Sequence, residues 1–156
     1  MNPKEILHNV PELRDFVNIK DILNPFTKMS EDMNYKDWQK IAKLCEKELN
    51  KDIMGVIITH GTDFMHFTSS ALSFMLRNLG KPVVLTGSQR SSDRGSSDAG
   101  FNLICSAHVA ISNMAEVGIC MHGTMSDDFC LFNRGTKVRK MHSSRRDAFR
   151  PINDLP

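Results

Sequence analysis

Thr62 and Asp63 stand side by side in the segment Ile58-Thr59-His60-Gly61-Thr62-Asp63. A threonine hydroxyl is a weak nucleophile until a neighbouring base removes its proton, and a lysine serves as that base once its surroundings favour the neutral amine. Basic residues collect near the C-terminal end: Arg134, Lys137, Arg139, Lys140, Arg145, Arg146 and Arg150, with Asp147 the single acid between Arg134 and Arg150. Spacing alone does not choose among them.

The elements that must position these groups follow from hydrophobic periodicity. Phe16 to Leu23 alternates and ends in Asn24-Pro25, the pattern of a strand running into a loop. From Tyr35 to Leu49, Trp38, Ile41, Ala42, Cys45 and Leu49 recur at helical spacing behind a capping Asn34. Gly55 to Thr59 is a continuous β-branched run that predicts a strand covered on both faces. A helix from Met65 to Leu79 then closes on Gly80, and Pro82 to Thr86 is the next buried strand. Gly87 to Asp98 contains no apolar side chain and predicts a surface loop, leading into a helix from Ala99 to about Ser112. Glu116 to Met121 makes another strand, and Asn133-Arg134-Gly135-Thr136 predicts a hairpin. Alternating strands and crossover-length helices give an α/β fold, a three-layer parallel sheet with flanking helices.

In open parallel sheets ligands bind beyond the carboxyl ends of the strands. Those ends read Met29-Ser30-Glu31-Asp32, His60-Gly61-Thr62-Asp63, Gly87-Ser88-Gln89-Arg90 and His122-Gly123-Thr124-Met125-Ser126-Asp127-Asp128. Any one of them is ordinary turn and cap chemistry, and a plain helix cap accounts for Asp63 by itself. Together they suit a small zwitterion held through its amino and carboxylate groups.

Composition narrows the class. The 156 residues allow one domain, and 40% apolar with 24% charged residues excludes bulk disorder. No apolar run is long enough to span a bilayer and the first residues lack a secretory signal, so the expected setting is the cytoplasm, without a membrane. Four scattered cysteines without a C-x-x-C pair predict buried reduced thiols. His60, His66, His122 and His142 fall on separate elements, and no metal site is expected. No G-x-G-x-x-G follows the strands, which argues against a dinucleotide module. The ten methionines are read as core filler.

The segment ending in His60-Gly61-Thr62-Asp63 resembles the H-G-T-D signature of the bacterial-type L-asparaginase family. Lys81 to Ser88 is similar to the K-P-V-V-L-T-G-A stretch that follows it there. Within that family, Ser91 to Ala99 and Lys137 to Arg150 resemble the archaeal glutamyl-tRNA(Gln) amidotransferase D subunits, and the likeness runs from about Asn18 to Pro156.

The resemblance implies release of ammonia from glutamine or asparagine, with Thr62 as the second catalytic threonine, Lys140 as the base and Asp63 as its neighbour, which also holds the substrate amino group. It places Ser30 and Glu31 at the substrate's amino-acid end and a Ser88 backbone carbonyl at its amide. It implies a partner, the glutamyl-tRNA(Gln) amidotransferase E subunit, which uses the ammonia with ATP and Mg to convert glutamate on tRNA(Gln) to glutamine. This chain itself would hold no cofactor, meet tRNA only indirectly, and form a homodimer in the intact protein.

The likeness is to the N-terminal asparaginase domain, incomplete. The family's T-G-G-T segment with the first nucleophilic threonine is absent, for no glycine precedes Gly55. The first strand, the lid and the C-terminal domain are missing too, and Phe64 stands where the family carries a threonine. Residues 1–156 are therefore expected to be a partial domain and an internal piece of a longer enzyme, inactive and prone to association by itself. Two alternatives stand beside this reading: a free L-asparaginase fragment, and a non-catalytic amidase-like scaffold. The basic tail is read either as a phosphate-contacting patch or as an ion-paired face.

Overall fold

The computed structural model describes residues 8–156. Helix α1 (Tyr35–Leu49) precedes strand β1 (Val56–Thr59), helix α2 (Met65–Met75), β2 (Val83–Thr86), α3 (Ala99–Ala110), β3 (Val117–His122), β4 (Cys130–Arg134), β5 (Val138–Lys140) and β6 (Phe149–Pro151). Strands β1, β2 and β3 pair in parallel in that order, β4 closes the sheet antiparallel to β3, and β5 and β6 form a separate antiparallel ribbon.

Residue alternation along the strands divides the interior into two cores. Val83 and Leu85 of β2 with Ile119 and Met121 of β3 face α1 and α2, where they meet Ile41, Cys45, Met65 and Leu72. Val84 and Cys120 face the other way, toward α3, with Ile57 beside them. Leu103 and Ala107 of α3 also cover Val10 and Leu13. Helices thus flank the parallel sheet on both faces, the three-layer arrangement that the alternating order of elements demands.

Helix α1 starts where its sequence says. The Asn34 side chain accepts from the Lys36 N–H at 3.0 Å, and the Asp37 carboxylate accepts from the Asn34 N–H at 2.9 Å, a reciprocal cap. The Cys45 thiol on its buried face is pushed up to about 11 by burial, which keeps it an inert core group.

Four expectations change. Phe16 to Leu23 is not a strand: a short 3-10 turn over Pro11–Asp15 leads into irregular chain with no ladder partner, so its alternation finds no sheet to join. Strand β1 is only half-buried, whereas every residue of β2 and β3 is buried, because β1 is an edge that pairs with β2 alone among the described strands. A groove of about 1200 Å³ runs along it, walled by the stretch from Val17 to Lys28. Helix α2 stops at Met75 rather than Leu79, since Leu76 is already extended and Asn78, not Gly80, takes the left-handed conformation (φ 55°). The turn after Arg134 forms, with the Lys137 N–H reaching the Arg134 carbonyl at 3.0 Å. Its two flanking strands, however, belong to different sheets, because β4 is taken by β3 and β5 by β6.

Leu85 is fully buried between β1, β3 and the α1–α2 layer. Leu85→Ala is expected to cost about 2–5 kcal/mol, read as a lower urea midpoint, without changing the strand order.

Candidate active site

The Thr62 turn sits between β1 and α2, held from three sides. Ser30, almost fully buried, packs on Gly61, where a Cβ would come within 2.9 Å of the serine Cβ. The same serine hydroxyl accepts from the Phe64 N–H at 3.3 Å, satisfying a free donor at the start of α2. Gly87 closes the third side: a Cβ there would lie 2.4 Å from the His60 carbonyl oxygen and 3.4 Å from the Thr62 methyl carbon. Only glycine lets the loop after β2 approach this closely.

His60 stiffens the turn from below. The indole N–H of Trp38 can only donate, and it gives its proton to Thr68 Oγ1 at 2.9 Å. The threonine O–H then donates to His60 Nε2 at 2.9 Å, which leaves Nδ1 to donate to the Gly61 carbonyl at 2.6 Å. This fixes a neutral imidazole in a single tautomer, and burial holds the His60 pKa below its ordinary value.

The lysine arrives from the ribbon. Val138 and Phe149 bury against the α2 side of the sheet, and alternation along β5 turns Lys140 to the same side as Val138. The chain beyond it is braced by Asp147, whose carboxylate accepts from Arg145 Nε at 2.8 Å and Nη2 at 2.9 Å and also pairs with Arg150. The Arg145 guanidinium, foremost, keeps the Asp147 carboxyl below the usual range. From this support Lys140 Nζ donates to Thr62 Oγ1 at 2.8 Å and to Asp63 Oδ1 at 2.7 Å. The lysine side chain is 8% exposed and the carboxylate 63%, so the pair has a dry and a wet end. Three residues up to 78 positions apart therefore share one hydrogen-bonded cluster.

The other candidates lie on the segments packed against the Thr62 turn. The Ser30 hydroxyl bonds the Glu31 carboxylate at 3.2 Å, with Glu31 exposed, and Ser88 follows directly on Gly87. Ser30, Gly61, Gly87 and Ser88 all lie on the groove that runs along β1. Phe64 rests 5.0 Å from the Phe67 ring, and the Arg139 guanidinium stands 5.6 Å from the Phe67 centroid. Among the described residues no cluster of three or more His, Cys, Asp or Glu side chains has the geometry to hold a metal ion. The arrangement can position a hydroxyl, an amine and a carboxylate around a small polar substrate.

The chain matches known proteins in sequence and in fold. The family described as Asparaginase, N-terminal matches residues 1–156. The chain belongs to the asparaginase family. Its relatives include the glutamyl-tRNA(Gln) amidotransferase D subunit of Thermococcus kodakarensis, 60% identical over 153 residues, with 98% of this chain and 34% of that protein covered. The protein of the same name from Methanosarcina barkeri is 52% identical over 153 residues, covering 97% and 35%. Among solved structures, the thermostable L-asparaginase from T. kodakarensis superposes with a TM-score of 0.80 at 31% identity, covering 99% of this chain and 45% of its own. The structure described as "Probable Cytoplasmic L-asparaginase from Campylobacter jejuni" gives 0.85 at 28% identity, covering 98% and 45%. The asparaginase-family chain thus spans about a third of the length of the curated relatives it matches.

Sequence reasoning missed the residues behind the Gly87–Arg90 loop. Asp98, Asn102 and His122 are fully buried and joined by hydrogen bonds. The available signal was an asparagine on the otherwise apolar face of α3, beside Leu103 and Ser106, and a histidine ending the apolar run of β3.

Both His60 and His66 have lowered pKa values, His66 through burial first and then through Arg139 and Lys140. Below the ordinary histidine value of 6.5 the unfolded chain takes up protons that the folded one refuses, so stability falls as the pH drops from there. His60→Gln should flatten that slope by at most about 1.4 kcal/mol per pH unit, measured by urea titration at successive pH values.

Proposed function

We propose that this chain forms part of the amide-hydrolysing centre of an archaeal-type glutamyl-tRNA(Gln) amidotransferase D subunit, releasing ammonia from glutamine or asparagine. The observation that carries the reading is the Lys140 amine, 2.8 Å from the Thr62 hydroxyl and 2.7 Å from the Asp63 carboxylate. The names of the relatives and the family match support it.

In this reading Asp63, largely exposed, receives the substrate's α-ammonium, and Ser30 and Glu31 hold the same amino-acid end. Lys140 takes the Thr62 proton, which it can do only as a neutral amine. The Ser88 carbonyl contacts the amide nitrogen, which takes that proton back from Lys140 and leaves as ammonia as its C–N bond breaks, its place on the acyl carbon taken by a threonine oxygen and then, on hydrolysis of that ester, by water. The T-G-G-T threonine that the resemblance implies as first nucleophile is not among these 156 residues, so Thr62 and Lys140 represent half of the reacting pair.

The ammonia passes to a partner, the E subunit, where ATP and Mg activate the glutamate on tRNA(Gln). This chain would bind no cofactor and meet the tRNA indirectly, as part of a cytoplasmic homodimer. No helix among the described residues is long and apolar enough to cross a membrane.

Two outcomes test the proposal. Expressed as these 156 residues, the chain should release no more ammonia from glutamine or asparagine than its Thr62→Ala variant. Placed in an intact D–E amidotransferase, Lys140→Met should lower kcat for ammonia release by about 10²–10⁴-fold, and an unchanged kcat would refute the assignment.

A further inference from the structure

Behind the Gly87–Arg90 loop lies a buried polar chain that runs from Asp98 through Asn102 of α3 to His122 at the end of β3. The Asp98 carboxylate accepts from the Gln89 N–H at 3.1 Å, the Arg90 N–H at 2.9 Å and Asn102 Nδ2 at 3.0 Å. Asn102 Nδ2 donates a second time, to the Gly87 carbonyl at 3.0 Å. Two backbone donors and one backbone acceptor of the loop are therefore held by Asp98 and Asn102.

The orientation of the Asn102 amide follows from its partners. A carbonyl oxygen and a carboxylate can only accept, so the NH₂ group must face them. The amide oxygen then faces His122 Nδ1 at 2.6 Å and the Cys130 thiol at 3.4 Å. An amide oxygen can only accept, so His122 Nδ1 carries a proton. On the other side of the ring, Nε2 lies 2.9 Å from Asp127 Oδ1, another acceptor, so Nε2 carries a proton as well. The ring is fully buried, with Phe101 packed edge-on at 5.1 Å between centroids.

We infer that His122 is a positioning residue whose ring holds a proton on both nitrogens and, through the Asn102 amide and the Asp98 carboxylate, fixes the Gly87–Arg90 loop beside the Thr62 turn. The Asn102 amide lies between a cation on one side and a carboxylate on the other, with its dipole aligned to both. Burial of such a charge is tolerated only when every polar atom is paired, a condition met here.

The charged groups around the ring come from each element packed against it. Asp127 lies in the loop after β3, and Arg146 donates to the same Asp127 oxygen at 3.2 Å. Arg146 also donates to the Met125 and Ser96 carbonyls, which ties the loop after β3 to the loop before α3. Asp98 acts on the ring through Asn102, and Cys130 of β4 shares the amide oxygen. Loss of either ring proton would leave two acceptors facing each other and loosen the loop. The consequence for catalysis rests on the amidase reading, because Ser88 is the loop's contact with the amide.

The test is nitrogen NMR of the histidine rings in this chain, with the Gln89 and Arg90 backbone amides followed in the same samples. Both His122 ring nitrogens should show one-bond proton doublets. His122→Gln, which lacks a ring with two opposed donors, should shift the Gln89 and Arg90 amides and speed their hydrogen exchange. A ring nitrogen without a proton overturns the inference, as do Gln89 and Arg90 amides that keep their shifts and exchange rates in the folded variant. Should the variant unfold, the ring doublets of the native chain alone decide. Ammonia release is not read here: the amidase reading stands or falls on Lys140→Met in the intact amidotransferase, and the relay on the ring nitrogens.

Discussion

The Lys140 ammonium bonded at once to the Thr62 hydroxyl and the Asp63 carboxylate is the contact on which the architecture converges. A lysine on a three-residue strand has a long, flexible stem, and fixing it costs side-chain entropy that a single exposed ion pair does not repay. Here the cost is offset by burial of the stem, by Val138 and Phe149 locking the ribbon into the core, and by two acceptors at the tip. The Arg145–Asp147–Arg150 cluster holds the chain beyond the ribbon, so the amine is presented by a rigid base.

The threonine side of the contact is built with equal rigidity. Ser30 fills the space under Gly61, Gly87 lets the β2 loop lie against the His60 carbonyl, and the Trp38–Thr68–His60 chain leaves the turn one tautomer to bond. Helix α1 thereby serves the site from a distance, because its reciprocal cap and buried face place Trp38 where its indole donates. The turn after β1 rests on the half-buried His60, with one ring proton, and the loop after β2, as we infer, on the fully buried His122, with two. Identical side chains are driven to opposite states by whether their partners donate or only accept.

Much of this was legible in the residues themselves. Asn34 announced the start of α1, the apolar runs at Val56 and Val83 announced parallel strands, and Thr62-Asp63 after a strand marked the turn that Lys140 meets. Lys140 was chosen over Lys137 and the arginines by resemblance, because no periodicity tells which strand end a distant ribbon will meet. Phe16 to Leu23 misled because alternation reports a two-sided environment without naming the partner, and here the stretch walls a groove. The close of α2 misled because Asn78 takes the left-handed conformation that glycine usually supplies. Asp98, Asn102 and His122 stayed hidden because each has an ordinary explanation alone, and only their contacts give them a shared role.

The most direct measurement is a crystal structure of the chain with L-glutamate or L-aspartate bound. The account predicts Lys140 Nζ within about 3.2 Å of Thr62 Oγ1, with the ligand's ammonium on Asp63 and its side-chain carboxyl toward the threonine and the Ser88 carbonyl. A lysine turned to solvent, or an amino acid seated away from Thr62 and Asp63, would contradict it.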